Sequence, residues 1–409
     1  MDRRLLLLCL VPLVSCTRED SVIRAGADFQ KRLQAALINA KPGAVIVIGE
    51  GKHALDRTLS LAVANVTIKG RGMGQTILSF KDQKSGSAGL QVTSSGFTLE
   101  DLAIEDTKGD ALKINGATGV IVRHVRTEWT GGPKESNGSY GIYPVQCTDV
   151  LIEDSVAIGA ADAGIYVGQS KNIVVRRNRA ERNVAGIEIE NSQLADVYEN
   201  TATGNTGGLL VFNLPDLPVK GGHHTRVFNN KVIANNTPNF APKGNLVAKV
   251  PAGTGLMVMA THHIEVFKNE ISDNQTYNIS INSYLVTGNP INDAQYDPYT
   301  SAIYVHDNTI GDGGHQPDGR VARDIEPKVG RPIPSIIYDG VIDPKKMTAD
   351  HRLPDAERIC IQNNGAATFA DYDAGNGFKK INRDAAPHNC SLAPLAPVAL
   401  PPAGSAGGA

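Results

Sequence analysis

Five times between residues 175 and 308 the chain repeats Val-x-x-Asn: Val175-Arg-Arg-Asn178, Val197-Tyr-Glu-Asn200, Val227-Phe-Asn-Asn230, Val266-Phe-Lys-Asn269 and Val305-His-Asp-Asn308. Successive asparagines stand 22, 30, 39 and 39 residues apart, and four of them are followed five residues later by another: Asn183, Asn205, Asn235 and Asn274. A second motif keeps the same interval, with Gly164-Ile165-Tyr166-Val167, Gly186-Ile187-Glu188-Ile189 and Gly208-Leu209-Leu210-Val211 each starting 22 residues apart. A short period with insertions of variable length marks a solenoid, in which each repeat buries its apolar face only against its neighbours. That period is too short for a helical hairpin or a propeller blade and suits one coil of three short strands. Stacked coils lie about 4.8 Å apart, so an inward asparagine can bond to its copies above and below and satisfy itself in a dry interior. Asn200 and Asn230 are therefore expected to be buried and mutually bonded, whereas Ser192 reads as exposed.

Composition agrees. Aromatic residues make up only 5% of the 409-residue chain and there are 42 glycines, a balance suited to many short strands and tight turns. Phe29, Leu33 and Leu37 recur every four residues in DFQKRLQAALINAKPGA, which predicts one amphipathic helix with Asp28 placed to cap it. That helix, then KPGAVIVIGEGKHAL, then TLSLAVANVTIKGRG, is similar to the cap and first coils of right-handed parallel β-helix proteins of the pectate-lyase-like kind. The resemblance covers residues 28–310 and implies an all-β, right-handed parallel β-helix solenoid with an N-terminal capping helix. The expected organisation is a signal segment over 1–16, a tether over 17–27, the β-helix over 28–345, a C-terminal capping region over 346–390 and a disordered tail over 391–409, where LAPLAPVALPPAGSAGGA is of low complexity.

The first residues, MDRRLLLLCLVPLVSC, carry two arginines, an apolar run too short to span a bilayer, and a small residue before a cysteine, which predicts an export signal. Leu13-Val14-Ser15-Cys16 resembles a bacterial lipobox, which implies lipidation at Cys16 and, with Thr17 following instead of aspartate, anchorage in the outer membrane of a Gram-negative cell envelope. An ordinary cleaved secretory signal is the alternative. Of the remaining cysteines, Cys360 and Cys390 could close one loop in an oxidising compartment and leave Cys147 free and buried; three free thiols are the alternative. No CxxC or CxxCH spacing supports a cysteine zinc site or attached haem. The net charge of −2, without basic runs, gives no electrostatic case for a nucleic-acid partner.

A closer resemblance is to a family of exported bacterial β-helix-repeat lipoproteins, carried by the lipobox and the stretch from Tyr296 to Asn308. Its members often accompany an exported c-type cytochrome, which implies an accessory role in a redox system. Tyr296-Asp297-Pro298 is also similar to mannuronan epimerases, but the histidine expected after the proline is absent.

Read along the Gly-Ile-Tyr-like strands, the outward positions of successive coils are Tyr143, Tyr166, Glu188, Leu210, Met257 and Ser280, with Glu190, Met259 and Asn282 two residues further on. Glu188 and Glu190 should lie about 6.5–7 Å apart on one shallow face, a separation compatible with acid–base work on a glycosidic bond. Tyr143 and Tyr166 suit stacking on sugar rings, with Asn282 as a further polar contact. Asp162, Lys171 and Arg176 are near in sequence and fit no motif. A solvated strand face accounts for the same glutamates and tyrosines without chemistry. Insertions at 131–140, 214–222, 237–253 and 283–301 would rise as walls around this face.

Aligned on the asparagines, His223-His224 and His262-His263 fall at matching places in consecutive repeats. Stacking at about 4.8 Å would let one imidazole from each share Cu or Zn, with Asp216 as a further ligand; a stacked polar turn is the alternative. The expected functions are binding of an extended polysaccharide, cleavage of an acidic glycan by a lyase or hydrolase through Glu188 and Glu190, or service to an exported cytochrome.

Overall fold

The computed structural model describes residues 22–402, so the signal segment, Cys16 and residues 403–409 lie outside the described residues. One 22-residue unit shows how the coil is made: Ala185–Glu190, Gln193–Tyr198 and Thr201–Thr203 are three strands joined by corners at Asn191, Glu199 and Gly204, all with positive φ. Every strand pairs in parallel with its counterpart one coil away. The Gly-Ile-Tyr-like strands form an eleven-stranded sheet, and the other two strands of each coil merge into a nineteen-stranded one. The fold is the expected parallel β-helix.

Inside, aliphatic side chains stack in register. Ile142, Ile165, Ile187, Leu209, Leu256 and Ile279 form one continuous column, all fully buried. The asparagine ladder is present: each Nδ2 donates to the Oδ1 of the next rung, from Asn178 to Asn200 (3.0 Å), Asn230 (3.0 Å), Asn269 (2.9 Å) and Asn308 (2.9 Å). A sixth rung, Asn364, receives Asn308 at 2.9 Å. The residue before each of the first five rungs (Arg177, Glu199, Asn229, Lys268, Asp307) sits in the left-handed region, so the ladder holds a corner that non-glycine residues adopt at a cost. The second ladder runs through Asn183, Asn205, Asn235 and Asn274. It explains the recurring glycine: a Cβ on Gly186 would lie 2.8 Å from Asn205 Nδ2 and 2.5 Å from the Gly208 carbonyl oxygen.

Four expectations change. Helix Phe29–Ile38 buries Phe29, Leu33 and Leu37 as read, but Asp28 adopts a left-handed conformation and makes no capping bond with its side chain. Ser192 is buried, because its hydroxyl bonds the Glu190 carbonyl and accepts the amide of Ser170 at a third corner of the coil. The repeats do not end at 345: Ile359–Gln362 pairs with Ser301–His306, and Phe369–Asp371 pairs with Ile336–Tyr338, so two further strands of the coil lie beyond the insertion over 311–335 and the strand that follows it. That insertion also contains a helical segment, Val321–Ile325 followed by Glu326–Val329, which closes over the eleven-stranded sheet.

Cys360 and Cys390 form a disulfide and Cys147 is free and buried. The tail, expected to be disordered, leaves this disulfide along the outer face of the other sheet. Leu395 N donates to Glu265 Oε2 (3.0 Å) and Val398 N to Asp196 Oδ2 (3.2 Å). Glu265 and Asp196 are two coils apart, with Arg226 between them in register, about 9.6 Å. Three residues of extended polyproline-type chain span about 9.3 Å, and Leu392, Leu395 and Val398, every third residue, are half-buried, as is Leu400 beyond them. The low-complexity composition hides this periodicity of three. Among the described residues no helix is long and apolar enough to cross a membrane.

Candidate active site

Strand register places Glu188 beside Tyr166 on one side and Leu210 on the other, and Glu190 between Gly168 and Phe212. The outward rows are therefore the ones read from the sequence. They are not a shallow open face, however. Glu188 is 2% exposed, Glu190 7% and Tyr166 4%, because the insertions fold over the sheet instead of standing beside it. Val247, Val250, Tyr284 and Tyr296 from those insertions pack with Tyr166, Leu210, Phe212, Met257 and Met259 in a second core outside the coil. Tyr296 is a roof residue whose hydroxyl donates to the Asn213 carbonyl at 2.7 Å.

Three tyrosines meet at the end of this roof. The rings of Tyr140, Tyr143 and Tyr166 lie 4.3 to 4.9 Å apart. Tyr166 bends back over Gly168, where a Cβ would lie 2.1 Å from its hydroxyl, and this brings the hydroxyl to Glu190 as a hydrogen-bond partner. Tyr140 in turn bonds Asp162, which also accepts Asn245 Nδ2 from the roof at 3.2 Å. Asp162, Glu188 and Glu190 form one buried carboxyl cluster. Burial, then the neighbouring Glu190 charge, pushes Asp162 up to about 7, and burial pushes Glu190 up to about 7. Glu188 is raised well above the usual carboxylate range, by burial first and then by Asp162 and Glu190. Among the described residues its Oε2 has no hydrogen-bond partner. Asp110, raised to about 6 by burial, lies on the open side, where Lys113 Nζ stands 3.7 Å from it and 5.1 Å from the centre of the Tyr143 ring.

Sequence reading found Glu188, Glu190, Tyr143 and Tyr166 and missed Tyr140, Asp110 and Asn245. A polar residue opening or just preceding a buried Gly-Ile-Tyr-like strand, as at Tyr140 and Asp162, was the available signal. Of the three unplaced residues only Asp162 joins the site. Lys171 and Arg176 lie on the other sheet, where Arg176 binds Glu153. Asn282 is not part of the cluster: it stands three coils from Glu190, accepts Tyr372 Oη at 2.7 Å and donates to Ser280.

The histidines stack as read, His223 opposite His262 in register and the His224 and His263 rings 4.6 Å apart. Their nitrogens face one another and the protein: His223 Nδ1 is 2.8 Å from His224 Nδ1, and His262 contacts Ser301 Oγ (2.9 Å) and Asp297 Oδ2 (3.2 Å). Burial lowers the pKa of His223 and His263. Among the described residues no group of three or more His, Cys, Asp or Glu side chains could hold a metal ion, so the residues present do not fit the expected Cu or Zn shell. The carboxylate beside them is Asp297, not Asp216, which belongs to an exposed turn with Asp293.

A family model described as right handed beta helix region matches residues 64–221. No curated protein sequence matches the chain. Among solved structures, the A-module of a mannuronan C-5 epimerase from Azotobacter vinelandii is similar, with 18% identity and a TM-score of 0.51 over 77% of this chain and 88% of that one. A second epimerase A-module from the same organism aligns with 18% identity and a TM-score of 0.49 over 76% and 86% of the two chains. An alginate lyase from Paenibacillus sp. str. FPU-7 aligns with 17% identity and a TM-score of 0.38 over 73% and 98%. At 18% identity the likeness to the first of these extends to the fold alone, a right-handed parallel β-helix.

Proposed function

We propose that the chain is an enzyme that cleaves a polysaccharide by acid–base chemistry at Asp162, Glu188 and Glu190. The observation that carries this reading is the gathering of three carboxyls under the roof with Glu188 Oε2 unpartnered, an arrangement that costs stability and that a solvated strand face would not contain. Like charges so close cannot all ionise, so near neutrality the cluster holds a proton on one carboxyl while another is free to accept one. One group can then protonate a leaving glycosidic oxygen while its neighbour activates water. Half-buried Tyr143, with Lys113 beside it, offers a sugar ring a stacking surface at the open end of the site. The similar epimerase module, by its name, acts on mannuronan, which agrees with a polysaccharide substrate.

The test is turnover on a panel of neutral and uronate-containing polysaccharides, reading new reducing ends and unsaturated products separately. Glu190→Gln and Asp162→Asn should each lower activity about 10²–10⁴-fold. Unsaturated products would make the reaction an elimination, and full activity in both variants would move the site elsewhere. Saturable binding without turnover, lost in Tyr143→Ala, would favour a binding module instead; that second reading has the half-exposed Tyr143 and Lys113 in its favour.

A further inference from the structure

Beyond Glu188 and Glu190 the same outward rows change character. Their next occupants, Leu210 and Phe212 and then Met257 and Met259, are apolar side chains on the face of a sheet that would meet water if the coil stood alone. Three separate insertions cover them: the turn Leu246–Lys249, the turn Tyr284–Thr287 and the helical segment from Val321 to Val329. The cover does not close. Between these elements and the sheet lies a cavity of 570 Å³, with Phe212, Met257 and Met259 on its floor and Val250, Ile325 and Phe378 in its walls. Leu285, one of its lining residues, is 45% exposed. This volume falls within the range of sites that hold small molecules, about 300–1,000 Å³.

The chemistry of the lining narrows the ligand. The polar groups that reach the cavity are occupied by the protein: Asn282 by Tyr372 and Ser280, and Asp318 by the amide of Ala252. A sugar placed here would lose its hydration and find few partners. The cations are less committed. Lys249 Nζ contacts only the neutral oxygens of Thr287 and Asn289, and exposed Arg323 has no ion pair among the described residues. Of the two lining acids, Asp324 is paired with Arg320 and Asp318 is held by backbone.

We propose that this cavity binds an aliphatic chain bearing one anionic head, the hydrocarbon lying on the Phe212–Met257–Met259 floor and the head meeting Arg323 or Lys249. The site is separate from the carboxyl cluster and does not depend on the enzymatic reading. Titration of the purified chain with octanoate, dodecanoate and hexadecanoate tests it. Affinity should rise about fourfold per added methylene until the cavity is full. Leu285→Trp, a change at a half-exposed position that spares the fold, should weaken hexadecanoate at least tenfold. Lys249→Gln combined with Arg323→Gln should weaken hexadecanoate while leaving hexadecanol unchanged. Glu190→Gln should alter none of these values, which separates this site from the catalytic proposal. Absence of uptake at every chain length, affinity independent of length, or indifference to Leu285→Trp would overturn the assignment; equal affinity for alcohol and carboxylate in the unaltered protein would overturn the anionic head.

Discussion

Replacing Asn230 by leucine isolates what the ladder contributes. Asn230 Oδ1 accepts two bonds from the coil below, from the Asn200 amide at 3.0 Å and from Asn200 Nδ2 at 3.0 Å. Its own Nδ2 donates to the Val197 carbonyl and to Asn269 Oδ1, both at 2.9 Å. Leucine has nearly the same length and none of these groups, and both partners are 1% exposed, so water cannot replace what is lost. Two donors of Asn200 would be stranded. Leaving a buried polar group unpaired costs about 1–3 kcal/mol, so two of them give about 2–6 kcal/mol, and the corner at Asn229, held at φ 55°, loses its anchor as well. Asn115, exposed at the end of the strand Asp110–Asn115 and outside the left-handed region, is the control, and Asn115→Leu should cost no more than about 1 kcal/mol. Denaturant unfolding followed by circular dichroism measures both. A loss below about 1 kcal/mol for Asn230→Leu, or equal losses at the two positions, would refute the claim that the ladder is a structural element and leave the aliphatic columns alone to hold the coils in register.

The raised carboxyls give a signed pH dependence. Asp162 and Glu190 titrate near 7 in the folded chain and near 4 when unfolded, so the folded state binds their protons more tightly; the stability they contribute is full below about pH 4 and is lost as pH rises through 7. The melting temperature should fall between pH 5 and pH 8, and Glu190→Gln should flatten that fall; an unchanged slope would mean that other groups set it. At the other sheet, the disulfide closes a separation of 30 residues, which corresponds to roughly 3–4 kcal/mol of chain entropy, so Cys390→Ser should cost that much. Deleting residues 391–409 should cost far less, because the two bonds to Asp196 and Glu265 are offset by the freedom regained by the strap. Equal losses by thermal melting would show that the strap itself stabilises the coils.

How much of this was legible depends on whether a residue's role repeats. Asn178, Asn200, Asn230, Asn269 and Asn308 occupy one environment five times, and repetition separates their signal from composition. Ile187 and Leu209 are read the same way, as inward members of a column. Asn364, the sixth rung, breaks the pattern because 56 residues separate it from Asn308 and Ile361, not valine, opens its motif. The strands after residue 345 were lost for the same reason. The left-handed corner was invisible as well, since Arg177, Glu199, Asn229, Lys268 and Asp307 have only polarity in common, and the adjoining ladder imposes their conformation.

The candidate site was legible only as far as the repeat carried it. Alternation along the strand places Glu188 and Glu190 outward, and they are outward, but direction does not decide exposure. Exposure is decided by the insertions, which appear once each and have no period: Asn245 reaches Asp162 across 83 residues, and Tyr296 reaches Asn213 across another 83. One clue to a roof was present. A strand face open to water does not carry Leu210, Phe212, Met257 and Met259 in successive coils, and their outward position already required something to cover them. Once covered, the same face gives neighbouring positions opposite chemistries: at Glu188 and Glu190 burial raises carboxyls until they can hold a proton near neutrality, and one coil further on it leaves an apolar, cation-rimmed cavity. A single sheet face, roofed by insertions that pack a second core against it, thus places a buried carboxyl cluster directly beside an apolar cavity.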